Sequence, residues 1–376
     1  KYFRVGFPDW DKCQVGDTVT NPNPSFVGKK ISQLVFFRNR LCLLAGTNVI
    51  MSRPGDYFNF WNKSAITYSN TDPIDLSISS KYPSTIYDAI GVSSGLVLFT
   101  KNEQFLLTTD SDILNPTTAK INSISDYNFN YKTNPVSLGT SIGFLDNAGK
   151  YTRFFEMANI RREGEPRVIE QSKVVSKLFD YNLDNISASR ENSVIFFNEK
   201  NKSTLYGFRY FNAAEKRQQQ AWFTWELSGN VIYHSMLDDS FYAVIKHSNG
   251  KFVLQKFDLK MLSDSFSVTD DFDTTDTSDD VTYKIHLDNS KLITASQLGY
   301  SSSTQRTGFT KPDGFDATDK QLAVYCNVSG DQVGRYATAS IVGNPGNYNI
   351  EWDGDWTGKD LIVGYLFDME IKFPTI

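Results

Sequence analysis

Gly139-Thr140-Ser141-Ile142-Gly143 has the spacing G-x-S-x-G. In hydrolases that spacing forms a strained turn between a strand and a helix, which exposes a serine to a histidine base. Here strand-like sequence follows the serine directly. The preferred reading is a strand whose glycines sit at a close approach. The histidines are His234, His247 and His286, and no H-x-H, H-E-x-x-H or mixed His/Cys spacing occurs. That argues against a zinc site or a triad. Asp271, Asp273 and Asp276 make D-x-D-x-x-D without the glycine and closing glutamate of a calcium loop, so they read as a solvated acidic loop. Glycoside hydrolysis needs two carboxylates facing one sugar. The candidates are Glu163 with Glu165, or Asp353 with Asp355 beside Trp352 and Trp356. The second pair lies in EWDGDW, which reads more simply as a polar turn with aromatic flanks. Cys13, Cys42 and Cys326 are odd in number, far apart and match no zinc spacing, so they read as buried free thiols. The basic groups Lys29, Lys30, Arg38 and Arg40, then Arg153, Arg161, Arg162 and Arg167, then Lys216 and Arg217, read as solvated faces or ion-pair partners. There is no Walker A or G-x-G-x-x-G loop. No catalytic, cofactor-binding or metal residue is assigned, and no cofactor is expected.

The elements that carry these residues are strands. Of 376 residues, 40% are hydrophobic and 14% aromatic, with 28 Phe and 19 Tyr. That composition supports a buried core and favours sheets over helices. The net charge is −5, from 43 acidic and 38 basic residues. A dedicated DNA binder carries a basic excess to neutralise phosphates, and this chain does not. No apolar run approaches the ~20 residues of a membrane helix, and no signal-peptide pattern is present. The chain begins at Lys1 rather than Met, which reads as a fragment or a processed product.

One pattern recurs: an apolar strand, a short polar turn, a second strand. Its copies are RLCLLAGTNVIMSR, GLVLFTKNEQFLLTT, SIGFLDNAGKYTRFF, SVIFFNEKNKSTLYGFRY and SFYAVIKHSNGKFVLQKF, anchored at Leu41, Leu96, Ile142, Val194 and Phe241, 46 to 55 residues apart. Asn147-Ala148-Gly149 and Ser248-Asn249-Gly250 supply residues that tolerate positive φ in tight hairpins. A further apolar stretch precedes each copy: Leu34–Phe37, Ile86–Val92, Val136–Leu138, Ile186–Ala188 and Val231–His234. Three or four strands per ~50 residues is the period of a β-propeller blade; a sandwich meander is the alternative. Val168, Val175, Leu178 and Phe179 fall at helical spacing, so Val168 to Asp180 is expected to form one short helix or helical turn. The expected fold is therefore all-β: a β-propeller of ~50-residue blades with an additional smaller β-domain and one short helix. The expected division is 1–25, an N-terminal segment of open fold; 26–262, the propeller-like repeats; 263–280, an acidic linker or loop, SDSFSVTDDFDTTDTSDD; and 281–376, a C-terminal β-domain with strands VTYKIHL, QLAVYCNV, YATASIV and LIVGYLFDMEIKF.

FVGKKI from Phe26, VFFRNRLCLLAGTNVIMSRPGDYFNFW to Trp61, DPIDLSIS from Asp72, EQFLLTT from Glu103, RQQQAWFTWEL from Arg217 and GKDLIVGYLFDMEIKF from Gly358 occur in one order. Together they resemble the tail tubular protein B, or tail nozzle, family of short-tailed phages related to T7. The first block, through Trp61, and RQQQAWFTWEL from Arg217 are the specific ones. The resemblance implies a β-propeller in each subunit and a homohexameric ring at the distal end of the virion tail. It implies docking on the adaptor (tail tubular protein A), support of tail fibre protein, passage of double-stranded DNA during genome ejection, and contact with the bacterial cell surface. It carries over no catalytic residue, so an enzyme is not expected. It also implies that this chain is the C-terminal half of a longer protein. A balanced, mildly acidic lumen would let DNA slide, where dense Lys/Arg would hold it. The competing class is a glycan-binding or glycan-degrading tail propeller that acts on the host surface; released reducing ends would mark it. A third class is a cellular propeller scaffold that binds peptides.

Overall fold

The computed structural model describes residues 6, 8–111, 113–147, 149–162, 164–179, 182–213, 216–238, 240–259, 267–270, 281–315, 320–327, 334–344 and 346–372. They divide into two compact units, residues 1–225 with 233–238, and residues 226–232 with 239–376.

In the first unit the chain builds antiparallel meander sheets one after another. The first holds β1 (Ile31–Phe37), β2 (Arg40–Ala45), β3 (Asn48–Met51) and β4 (Ile74–Ser77); the second β5 (Asp88–Val92), β6 (Gly95–Phe99), β7 (Gln104–Thr109) and β8 (Ala119–Ser125); the third β9 (Val136–Ser137), β10 (Ile142–Asp146), β11 (Arg153–Ala158) and β12 (Arg167–Glu170). The next begins with β13 (Asn185–Ser189), β14 (Val194–Asn198), β15 (Lys202–Ala213) and β16 (Lys216–Leu237); β17 (Ser240–Lys246) and β18 (Phe252–Asp258), which end its order, belong to the second unit. All five hairpins read from the repeats are present, as β2–β3, β6–β7, β10–β11, β14–β15 and β17–β18.

Strands β2, β6, β7, β10 and β14 are buried on both faces, which is why they read as unbroken apolar runs rather than alternating ones. Leu96 and Leu98 of β6 join Cys42, Leu44, Val49 and Met51 in one core, while Val97 and Phe99 join Ile142, Phe144, Phe155 and Met157 in the next. Leu145 and Phe154, on the far face of the third sheet, meet Ile195, Phe197, Tyr206 and Phe208 in a third core. Each of the first three sheets is thus sealed by its successor, the packing of propeller blades. Every such buried Leu, Ile or Phe removes enough apolar surface to contribute roughly 1.5–3 kcal/mol.

Two features differ from the sequence reading. The expected helix at Val168–Asp180 is strand β12 followed by a 3-10 helix, Gln171–Val175. Val168 and Ile169 pair with Met157 and Glu156, so a β-branched run completes the third sheet instead of coiling. Asp180 lies outside the described residues. The fourth and fifth repeats also share one strand: Val231–His234, read as a separate stretch, is part of β16, which spans 22 residues and runs straight through Ser228-Gly229-Asn230. Gly229 permits this, since a Cβ there would meet the Lys246 carbonyl oxygen at 2.7 Å.

In the second unit β19 (Ser267–Asp270) pairs with β20 (Val281–Lys284). Ser267–Asp270 belongs to the acidic stretch read as a loop; Asp271, Asp273 and Asp276 lie outside the described residues. A seven-stranded antiparallel sheet follows, built from β21 (Asp288–Ile293), β22 (Gly299–Ser301), β23 (Arg306–Thr310), β24 (Leu322–Cys326), β25 (Tyr336–Asn344), β26 (Asn347–Asp353) and β27 (Leu361–Tyr365) in the order β21-β27-β24-β25-β26-β23-β22. Its core includes Phe309, Phe315, Val324, Trp352, Trp356 and Val363. No helix among the described residues is long and apolar enough to cross a membrane.

Candidate functional site

The residues that could do chemistry converge on a carboxylate the sequence reading did not single out. Glu156 sits in β11 within RFFEMA, between apolar neighbours. A half-buried carboxylate there needs partners, and it has three. The Ser141 hydroxyl donates to Oε1 at 2.7 Å, and the Gln171 amide donates to Oε2 at 2.8 Å. The Arg217 guanidinium closes a fork, with Nη1 on Oε2 at 2.7 Å and Nη2 on Oε1 at 3.2 Å. Arg217 Nε also donates to Asn212 at 3.2 Å, and the guanidinium lies 4.5 Å from the Tyr210 ring centroid. The planar fork suits both contacts at once.

So Ser141 of G-x-S-x-G and Arg217 of the RQQQAWFTWEL motif belong to one cluster. Strand β10 begins immediately after Ser141, where a nucleophile elbow requires a helix. Gly139 has φ +98°, and a Cβ on Gly143 would meet the Phe154 ring at 2.8 Å, so both motif glycines serve the turn and the packing. What this cluster can do is mechanical: it ties the third sheet and the 3-10 helix to the β15–β16 hairpin. Further along the hairpin Trp222 packs on Phe208, centroids 4.3 Å apart, and Phe223 and Trp225 turn to the other face against Phe196.

A second anchor corrects the reading of Arg40 as a solvated or ion-paired side chain. It is 2% exposed, and its guanidinium donates to the carbonyls of Ser52 (2.7 Å), Asp72 (2.8 Å), Asn70 (3.2 Å) and Leu114 (3.4 Å). Burial pulls its pKa below the usual arginine value. The Asp72 carboxylate, fully buried, instead accepts the backbone N–H groups of Lys63 (3.0 Å) and Ser69 (2.7 Å). Arg40 therefore holds the long β3–β4 loop to the sheet.

The remaining candidates stay apart. His234 is buried with Nδ1 2.7 Å from the Ser187 hydroxyl, and burial pushes its pKa down to about 3. His247 is buried against the Ser228 carbonyl at 3.3 Å, and His286 is exposed. Cys42 and Cys326 are buried, the former thiol pushed up to about 12 by burial, but Cys13 is exposed, contrary to expectation. It lies in a loop without apolar cover. Trp352 and Trp356 are 1% and 2% exposed and edge-to-face at 6.1 Å, so neither ring offers a face to a sugar. Asp353 pairs with Arg306 at 2.9 Å, and Asp355 accepts the Thr357 hydroxyl at 2.7 Å. Glu163 lies outside the described residues. Among the described residues no three His, Cys, Asp or Glu side chains group as a metal site. A groove of about 840 Å³ is lined by Asn21, Asn48, Phe60, Asn62, Tyr68 and Asp75 among others.

The family described as bacteriophage nozzle protein matches residues 2–376. The tail tubular protein gp12 of Escherichia phage T7 is 28% identical over 253 residues, 65% of this chain and 31% of that protein. The matched region thus spans less than a third of that relative's length. Among solved structures, Hsv2p of Kluyveromyces lactis aligns at a TM-score of 0.39 and 8% identity, covering 86% of each chain. BamB of Moraxella catarrhalis aligns at 0.36 and 10% identity, covering 60% of this chain and 57% of its own.

Proposed function

Because this chain belongs to the bacteriophage nozzle protein family, we propose that it is a structural subunit of a phage tail nozzle that assembles with its own copies into a ring, six copies being what the sequence resemblance implies. In this reading the ring sits at the distal end of the tail, docks on the adaptor, supports tail fibres and conducts double-stranded DNA during ejection. The family match across residues 2–376 carries the reading. Its physical support is a chain of sheets each sealed by the next, with Glu156–Arg217 and Arg40 as polar ties. Such a scaffold resists shear because opening one sheet exposes two cores. The division into repeats at 26–262 and a C-terminal β-domain at 281–376 belongs to the same proposal.

Net charge −5 suits a conduit, since a basic lumen would retain the phosphate backbone. Native mass spectrometry and electron-microscopy class averages of the full-length protein test the ring: closed rings that are taken up into tails are expected. A chain that stays monomeric and never joins tails would overturn the reading.

One observation favours a glycan contact as a second reading. The groove is lined by part-exposed Asn62 and by the exposed Tyr68 ring, a combination that suits a hydroxylated ligand. Isothermal titration with host surface polysaccharide tests it; binding lost in Tyr68→Ala supports the contact, and no heat at millimolar sugar excludes it.

A further inference from the structure

The motif that ends in LFDMEIKF is only partly used by the fold. Strand β27 stops at Tyr365, inside the seven-stranded sheet between β21 and β24. The next residues keep strand alternation with no strand partner among the described residues. Phe367, Met369 and Ile371 are 46%, 76% and 58% exposed, and they alternate with exposed Asp368, Glu370 and Lys372. A period of two puts the three apolar side chains on one side of an extended chain. Alone, that row faces water.

The same compact unit carries a matching acceptor. Strand β18 ends its sheet order, so among the described residues one edge has no strand partner. Its seven residues present Phe252 and Leu254, 62% and 67% exposed, on one face with Lys256. A sheet edge with exposed apolar residues is a template for another strand. The six-residue segment matches the edge in length. Pairing lays Phe367, Met369 and Ile371 alongside Phe252 and Leu254, whereas a slip of one residue sets Asp368 and Glu370 there instead. The register is therefore specified by the pattern.

We propose that Phe367–Lys372 is a donor strand that pairs with the β18 edge of a second copy of this chain. This rests on the ring reading above and gives it a contact. Donor and acceptor are different patches of one chain; repeated head-to-tail, the contact closes into rings or runs into filaments, which is the arrangement the ring reading requires.

The test uses the full-length chain with exposed Cys13 replaced by serine. Met369→Cys protein is mixed with Phe252→Cys, Leu254→Cys or Lys256→Cys protein under oxidised glutathione, and disulfides between unlike chains are read by mass. One acceptor position is expected to link to residue 369. In parallel, Met369→Pro removes a ladder N–H and an apolar contact. It is expected to raise the half-assembly concentration by about tenfold or more. Thermal unfolding of the monomer should not change, because residue 369 is 76% exposed. Rings that form at wild-type concentration in Met369→Pro, with no cross-link at any of the three positions, overturn the donor strand and leave the ring reading standing. Wild-type protein that never assembles overturns both.

Discussion

Removing the guanidinium of Arg217 should loosen the β15–β16 hairpin more than any surface ion pair would. The pair is mostly out of water, with side-chain exposures of 19% for Arg217 and 12% for Glu156. Fully exposed pairs contribute about 0.2–1 kcal/mol, and breaking a buried pair from one side costs about 3–5 kcal/mol. A two-pronged contact that keeps Ser141 and Gln171 on the carboxylate falls between. We expect about 2 kcal/mol for Arg217→Met, which retains part of the apolar stem against Tyr210. Glu156→Gln should cost a similar amount, and the double variant little more than either alone. The chain has two compact units, so one global transition is a poor readout. Amide hydrogen exchange reports the hairpin itself. Peptides covering residues 204–223 should exchange ~30-fold faster in Arg217→Met, the rate equivalent of ~2 kcal/mol. Peptides from β6 and β7 should not change. If the two single effects add to within about 0.5 kcal/mol, the residues act independently and the latch does not exist.

Arg40→Met should cost about 3 kcal/mol or more, read as faster exchange in β2, β3 and residues 52–72, because four carbonyls lose one donor group in a dry site. Gly207→Ala drives a Cβ into the Phe223 ring, and about 1–3 kcal/mol of destabilisation is expected as faster amide exchange in β14 and β15, partly recovered by adding Phe223→Ala. Asp88 is 6% exposed, and burial pushes its carboxyl up to about 6. The folded state holds that proton more tightly than the unfolded state, so the contribution to stability is full below the ordinary value near 4 and is lost as pH rises through about 6. Asp88→Asn should therefore stabilise by about 3 kcal/mol at pH 7.5 and by nothing at pH 3.5, read as slower amide exchange in β5 and β6 than in wild type at each pH. His234 has the opposite sign: its pKa is lowered to about 3, so the folded state loses stability as pH falls from the ordinary value toward 3, and His234→Gln should flatten that acid limb.

The hairpins were legible because their information is local. A run such as GLVLF, then a polar turn, then QFLLTT specifies strand, turn and strand without reference to the rest of the chain. The short helix is smaller than expected because Val168 shares a helical spacing with Val175, Leu178 and Phe179, yet it and Ile169 find strand partners at Met157 and Glu156. The polar cluster was not legible as a cluster. Arg217 and Ser141 stand far apart in sequence, and a lone Glu in RFFEMA signals only that a partner must exist. EWDGDW reads in sequence as a polar turn with aromatic flanks, which leaves the burial of its rings open. The structure buries both rings, since β26 carries Trp352 into the core and the turn returns Trp356 to it.

By itself, then, the amino-acid order determined the strand class, the repeat and its spacing, and the family blocks at Phe26–Trp61 and Arg217–Leu227. These depend on side-chain period and turn chemistry within a dozen residues. Tertiary structure alone decided that successive sheets share cores, that β16 runs through two repeats, that Arg40 is buried among carbonyls, and that Ser141, Gln171 and Arg217 meet on Glu156. The physical reason is that desolvation and hydrogen bonding act on what is near in space. A charged residue reads the same in sequence whether water or four carbonyls surround it.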